Sequence, residues 1–567
     1  FMKLFFESRI RKLLPGILLI CIFSLPLSWF ILFPDEIINF SNSLIGSSLF
    51  FSNFIFYLQS NYFDKISINI PLLHTWSLAI EIQFYIIFSL LFFLTLRFGN
   101  RVKFTLLLSL ILILFILSYY FSTHYLRLEN FYFPLPRFWE FLIGVLIFVF
   151  QINKKASSNS KKNEILSILG IFLIFLSLIF IDQNSRYPGI ITILPVTGVF
   201  LIITYSNHTN LLGKLLSYKP LTYIGKISYS LYLWHYPIIS FYSLYFFKIS
   251  SIYEKIFLIT ISILVSSISY KYFELPLRDK NKYPFKKFLR INIFLFLIIF
   301  IFSSLNKYYD GFNSRFSFQV QKNINVLNEK NTYPKNDCAD RKLGENCVLN
   351  TIHSEQIALW GDSVANLAVD QIVNAANTNN KSTIIYTYLG CPPFDYFEHI
   401  DGRCAKRNKE ILEELVNNKN LSFIIFFGDY LQGIYDNSVV ENRSNAINKT
   451  ILKLLDSGKK VIFLYPIPKF KNDIPKIKVK EQYRNINNSY YVKFNEYKEK
   501  NKILINKIVE INHRNFYPIP LSDIFCSQET NKCFLDINGN LLYIDGNHPS
   551  SFAINIIVNK LSNLLIK

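Results

Sequence analysis

The chain has 567 residues, of which 51% are hydrophobic and 17% charged, with a mean hydropathy of +0.26, and these values exclude a disordered polymer. Sixty Lys and Arg against 39 Asp and Glu give a formal charge of +21, which on a soluble fold would point to nucleic acid. The basic residues do not lie on one: residues 1–305 are a succession of apolar runs of membrane-crossing length, whereas 306–567 are mixed and polar. A lipid bilayer, and no nucleic acid, is the expected partner of the first half.

The apolar runs at 13–33, 76–96, 102–121, 136–152, 164–182, 189–205, 225–248, 253–272 and 288–305 read as nine spanning helices, each near the length that crosses about 30 Å. The stretch from Leu44 to Leu58 is shorter, carries Ser and Asn, and reads as interfacial or re-entrant. Lys and Arg collect in Arg9 to Lys12, in RFGNRVK after the second span, in NKKASSNSKK after the fourth, around Lys214, Lys219 and Lys226, and in RDKNKYPFKKFLR before the last. Such loops stay cytoplasmic. An odd count with the N-terminal end inside places the second half of the chain outside.

Of the seven cysteines, Cys21 falls in the first span and six fall in the polar half as local couples: Cys338 with Cys347, Cys391 with Cys404, and Cys526 with Cys533. Each couple closes a loop that a disulfide can staple in an oxidising compartment. Six buried thiols in a cytosolic domain are the alternative. No CxxC or Cys/His zinc spacing is present, so no metal site is assigned.

Ionisable side chains within spans are costly and mark candidate sites. LLHTWSLAIEIQFY places His74 at the outer boundary and Glu81 about 10 Å further along the helix. PRFWEFLIG sets Arg137 and Glu140 three apart on one face, and IGKISYSLYLWHYP aligns Ser228, Tyr232 and His235, with Pro237 available to loosen the helix. Blander uses stay open: His74, Trp76 and Trp139 as interface anchors, Glu81 and Glu140 as helix bridges through Arg137, and His235 as a packing residue.

After a Lys- and Asn-rich connector, EQIALWGDSVANLAVDQI reads as strand, tight turn and helix, with Ser363 at the turn. A helix N-terminus favours developing negative charge and suits a nucleophile, although a simple N-cap serine occupies the same position. YIDGNHPSS supplies Asp545 and His548 three residues apart. His548 can act as general base on Ser363 while Asp545 orients the ring or stabilises the imidazolium.

The basic RIRKLLPG entry, LLHTWSLAIEIQFY, RFWEFLIG, ISYSLYLWHYP and the span-ending YKYFELPLR, in that order, resemble the integral-membrane acyltransferase family 3 in the form fused to an SGNH-type domain. GDS together with DGNH resembles the SGNH hydrolases and transferases. The strand-like runs TIIYTYL, SFIIFF and KVIFLYP fit that family's α/β/α sandwich with a parallel sheet. The implied organisation is a multi-span membrane acyltransferase domain over 1–305, a periplasmic connector over 306–349 and an SGNH-like domain over 350–567.

The resemblance implies that Ser363 is the nucleophile, that Asp545 and His548 complete the triad, and that the N–H groups of Ser363 and Gly390 hold the oxyanion. The family's Asn donor has no evident counterpart, since FFGDYLQG carries Asp429, a poor oxyanion donor when ionised. The family's first two spans, with an Arg and a His implicated in acyl transfer, have no counterpart either. The chain begins at Phe1 and reads as truncated, with eleven spans in the whole protein.

The implied function is O-acyl transfer, most simply O-acetyl transfer, to a cell-envelope polysaccharide such as lipopolysaccharide O-antigen. Acetyl passes from cytoplasmic acetyl-CoA through a protein of the bacterial inner membrane, with no bound cofactor. Peptidoglycan O-acetylation, a membrane-anchored carbohydrate esterase and an exporter of lipid-linked sugar are the alternatives.

Overall fold

The computed structural model describes residues 2–60, 69–124, 126–153, 160–182, 185–247, 251–329, 338, 347–349, 353–395, 402–434, 436–471, 474–486 and 488–565. Parts of three predicted segments lie outside them: 154–159 of the basic loop after the fourth span, residue 248 of the run 225–248, and 330–337 and 339–346 of the connector. The chain forms two compact units, Phe1–Asn313 and Ser314–Lys567.

The first unit is helical. In hydrocarbon every backbone N–H and C=O must be satisfied within the segment, so the long apolar runs close their own hydrogen bonds as helices. All nine runs are helical at their cores, but among the described residues six helices are long and apolar enough to span: Lys3–Ile31, Thr75–Leu94, Asn100–Thr123, Lys161–Phe180, Ile252–Arg278 and Phe285–Tyr308. The other three runs fall short of that length or apolarity. Phe138–Asn153 and Ile193–Tyr205 have only 16 and 13 residues. Lys219–Phe246 has 28 residues but carries Lys226, Ser228, Tyr229, Ser230, Tyr232, His235 and Tyr236. Pro237 sits inside this continuous helix and does not end it. The stretch from Leu44 to Leu58 is two short helices, Pro34–Ser48 and Ser52–Ser60, parted at Phe50, whose φ is 57°.

The second unit is built on a six-stranded sheet with strands β1 (Cys347–Leu349), β2 (Gln356–Gly361), β3 (Ser382–Thr387), β4 (Leu421–Phe427), β5 (Lys460–Leu464) and, after a short β6 (Tyr491–Lys493), β7 (Phe516–Ile519). The spatial order is β1-β3-β2-β4-β5-β7. All neighbours are parallel except β1, which pairs antiparallel with β3. The sheet is parallel, as expected, through β3-β2-β4-β5-β7, with one antiparallel strand added at its edge. Only residues 350–355 separate β1 from β2; that is enough for a reversal but not for the crossover that a parallel strand needs.

Strands covered on both faces read as unbroken apolar runs, as IALW and FIIFF do. Ala358, Trp360, Phe426 and Phe463 pack on one face against Ile411, Leu415, Ile447, Ile451, Leu504 and Ile508 of the helices Gly402–Asn417, Asn437–Asp456 and Phe494–Val509. The alternate residues Ile357, Leu359, Ile425 and Ile462 are buried on the other face. There the helices Val369–Thr378 and Ser551–Leu565 meet.

Disulfides join Cys338 to Cys347, Cys391 to Cys404 and Cys526 to Cys533, and Cys21 is a buried free thiol. The last bridge links directly opposed residues of a hairpin formed by β8 (Cys526–Ser527) and β9 (Lys532–Phe534).

β2 lies between β3 and β4, so the chain leaves it first to one side and then to the other. This is a topological switch point, where open α/β sheets place ligands outside the carboxyl ends of their strands. Ser363 follows β2 at that end.

Candidate functional site

Gly361 closes β2 and Asp362 caps the five-residue helix Ser363–Leu367, its carboxylate accepting the Val364 N–H at 2.9 Å. Ser363 is thereby held at the corner between strand and helix, half-buried. The opposing residues come from the turn before the last helix. Ile544 N–H donates to the His548 carbonyl at 3.0 Å, and Asp545 Oδ1 accepts the N–H groups of Asn547 and His548 at 2.8 and 2.9 Å. This turn sets the imidazole between two partners. Nδ1 lies 2.9 Å from Asp545 Oδ2, and Nε2 lies 2.9 Å from Ser363 Oγ. With Nδ1–H held on the carboxylate, Nε2 is left to accept the serine proton.

Burial alone would raise the Asp545 pKa, but hydrogen bonds from the His548 ring and from the two backbone N–H groups hold it below the usual value. Asp545 therefore stays ionised beside the ring.

Asp362 had no assigned role in the sequence reading. Fully buried, it is pushed up to about 6, chiefly by desolvation and further by the nearby Asp429 charge, against hydrogen bonds from Asp429 N–H and Val364 N–H. Its Oδ2 accepts the Asp429 N–H at 2.8 Å, which ties the end of β4 to the turn carrying Ser363. The available signal was an acidic residue ending the apolar strand IALWG.

The Asp429 side chain is turned into an ion pair, both oxygens accepting from Lys469 Nζ at 2.5 Å. Gly390 lies in the turn after β3 at φ +76°, a conformation that glycine adopts freely. Tyr388 N–H donates to the Gly361 carbonyl at 3.1 Å, so this turn is fastened to the end of β2.

In the helical unit the structure gathers His74, Tyr232 and His235. The His74 ring centroid lies 5.2 Å from Tyr232 and 5.8 Å from His235, and stacks on Tyr236 at 5.2 Å. Tyr232 Oη donates to the His74 carbonyl and lies 2.5 Å from Ser77 Oγ. Glu81 accepts from Tyr85 Oη and, with Lys12, Ser77, Ser228, Tyr229 and Tyr232, lines a cavity of about 310 Å³. Arg137 pairs with Glu140 at 3.1 Å, and its guanidinium lies 5.5 Å from the Trp76 ring centroid. A bridge from Arg137 to Glu81 is not formed.

Two further residues escaped the sequence reading. Glu274, in YKYFELPLR, is buried in a π-helical turn and accepts from Ser230 Oγ at 2.5 Å, Ser269 Oγ at 3.1 Å and Arg278 at 3.1 Å. Arg11 donates to the carbonyls of Leu277 and Tyr283 at 3.2 and 2.9 Å and pairs with Glu7. Both lie in runs that carry the family resemblance, YKYFELPLR and RIRKLLPG, but residue type and spacing alone assign neither a role.

Residues 1–271 match the family model described as an acyltransferase domain, and residues 331–563 match the SGNH domain that is fused to such domains. Among curated proteins, O-acetyltransferase OatA of Staphylococcus aureus (strain NCTC 8325 / PS 47) is 36% identical over 297 residues, 49% of this chain and 47% of that protein. Peptidoglycan O-acetyltransferase OatA of Listeria monocytogenes is 30% identical over 313 residues, 52% of this chain and 49% of that protein. The chain spans about half the length of these relatives. Among solved structures, the periplasmic domain of a lipopolysaccharide acetyltransferase from Salmonella ser. Paratyphi A covers 43% of this chain and 97% of its own, at 16% identity and a TM-score of 0.35. With one model matching the helical unit and the other the sheet unit, the chain belongs to the acyltransferase-3 proteins that carry a C-terminal SGNH domain.

Proposed function

We propose that this protein is a membrane O-acetyltransferase of a cell-envelope polysaccharide and that its SGNH domain performs the final transfer. The observation that carries this reading is the line from Ser363 Oγ through His548 to Asp545, at 2.9 Å for each step. Ser363 Oγ attacks the acyl carbonyl as His548 Nε2 takes its proton, and Asp545 steadies the imidazolium. Collapse of the tetrahedral intermediate breaks the bond to the donor's leaving group, which receives the proton and departs. A sugar hydroxyl then gives its proton to His548 and attacks the acyl-serine, which returns Ser363 and leaves the sugar ester. The N–H groups of Ser363 and Gly390 are the proposed oxyanion donors.

Acetyl-CoA is the proposed first donor, received by the helical unit at the cytoplasmic face of the inner membrane, and the SGNH domain is placed outside by the charge pattern of the loops. His74, Glu81, Arg137, Glu140, Tyr232 and His235 are the proposed polar path of that unit. Peptidoglycan is preferred to lipopolysaccharide O-antigen as acceptor, because the Listeria relative carries that substrate in its name.

The test is trapping of the acyl-enzyme. Incubated with an activated acetyl ester, the protein should carry acetyl on Ser363 by peptide mass spectrometry, and glycan strands added afterwards should discharge it as glycan ester. Absence of the adduct, with glycan acetylation persisting in Ser363→Ala, overturns the reading.

A further inference from the structure

A cavity of about 490 Å³ lies in the sheet unit, within the size range of sites that hold small molecules. Asp429, Lys469 and Phe470 line it, together with Tyr490, Tyr491 and Tyr497. Two hydrogen bonds fasten it to the triad. Asp429 N–H donates to the carboxylate of Asp362, the residue before Ser363, at 2.8 Å. Phe470 N–H donates to the carbonyl of Gly546, inside the Asp545–His548 turn, at 2.8 Å. The cavity thus opens off the loops that position the nucleophile and the base.

Its lining joins fixed aromatic rings to an incompletely used donor. Tyr490 Oη donates to Glu481 and Tyr497 Oη to the Pro466 carbonyl, both at 2.8 Å. Lys532 Nζ sits 4.5 Å from the Tyr491 ring centroid, yet Tyr491 remains 45% exposed. Lys469 spends two of its three N–H donors on Asp429, which leaves one uncommitted among the described residues. A sugar ring has the matching chemistry, with C–H faces that lie on aromatic rings and hydroxyls that accept from an ammonium and donate to a carboxylate. A fatty chain would leave the third Lys469 N–H facing it without an acceptor.

We propose that this cavity is the acceptor subsite, holding a sugar unit of the glycan strand next to the one that is acetylated. Tyr490 and Tyr491 form the stacking surface, and Lys469 with Asp429 reads the hydroxyls. The identity of the ligand rests on the transfer reading above, whereas the binding itself can be measured without any turnover.

The experiment uses the full chain in lipid nanodiscs carrying Ser363→Ala, titrated with chitotetraose and followed by intrinsic fluorescence. Saturable binding is expected, weakened about tenfold by the added double change Tyr490→Ala and Tyr491→Ala. Because Tyr490 is tied to Glu481, Tyr491→Ala alone serves where the double variant fails to fold; a severalfold loss is expected from it. Binding that is absent, or equally tight in the tyrosine variants, overturns the subsite. Tyrosine-dependent binding together with persistent glycan acetylation by Ser363→Ala upholds the subsite and overturns the nucleophile. Acetyl-Ser363 formed without glycan binding does the reverse.

Discussion

Ser363 Oγ and His548 Nε2 stand 2.9 Å apart although 185 residues separate them in the chain. The contact joins the carboxyl end of a central strand to the turn before the last helix. Members of such a unit act together, so their losses do not add. Ser363→Ala and His548→Ala should each lower the turnover of an activated acetyl ester by roughly a thousandfold or more, and the double variant should be little worse. Asp545→Asn keeps an acceptor for the N–H groups of Asn547 and His548 but sets an amide against Nδ1. A loss of roughly a hundredfold or more is expected from the wrong tautomer. Initial rates of ester turnover check all four proteins.

Asp362 supplies a pH signature. Its native pKa of about 6 lies above the ordinary carboxylate value, so between about 4 and 6 the folded state binds more protons here than the unfolded state. This group's contribution is present in full below that window and is lost as pH rises through it. Asp545 has the opposite sign: its pKa is depressed, so its contribution is present above the ordinary carboxylate value and is lost as pH falls further. Asp362→Asn should remove the first slope and keep the second. Thermal melts of both proteins from pH 3 to 7 measure it, and parallel slopes between pH 4 and 6 would contradict the assignment.

Which parts of this site the sequence discloses follows from how each residue acts. Ser363, Asp545 and His548 lie in short runs, GDS and DGNH, whose residue types and local turns single them out, and the structure brings them into hydrogen-bond contact. The long spans were readable because lipid forces an apolar run to satisfy its own backbone. Helices of 13 and 16 residues, or one as polar as Lys219–Phe246, depend instead on packing against neighbours, which no local run encodes. Asp429 was recognised only as a misfit for an oxyanion donor. Its partner Lys469 is 40 residues away on another loop, a pairing that no local pattern encodes. The antiparallel edge was hidden in a three-residue strand too short to show a period.

The Cys391–Cys404 disulfide fastens the turn after β3 to the helix Gly402–Asn417 across 13 residues of sequence. Closing a loop of that size removes denatured-state entropy worth about 3 kcal/mol. Cys391→Ser with Cys404→Ser should therefore destabilise the sheet unit by about 2–4 kcal/mol and loosen the turn that holds Gly390. Hydrogen exchange should show faster opening of the β3 amides, with wild-type protein under reductant behaving alike.

Two glycines, Gly361 beside Ser363 and Gly390 after β3, separate steric from conformational cost. A Cβ on Gly361 would lie 2.0 Å from the Phe427 carbonyl oxygen and 2.3 Å from Ala365 Cβ. Neither is the tip of a flexible side chain, and Gly361 faces Phe427 in the β2–β4 register. Gly361→Ala must therefore part those strands at their carboxyl ends, at a cost of about 3 kcal/mol or more. It must also displace Ser363 two residues on. At Gly390 a Cβ meets nothing within 4 Å, and the cost comes from the left-handed φ of +76° alone, about 1–2 kcal/mol for an alanine. Protection of the β2 and β4 amides from hydrogen exchange should thus collapse in Gly361→Ala and stay near wild type in Gly390→Ala. Ester turnover should fall with the first at temperatures where the protein is still folded, because the 2.9 Å contact with His548 is broken before the sheet is lost. Equal protection in the two variants would mean that the close approach of β2 to β4 does not set the position of Ser363.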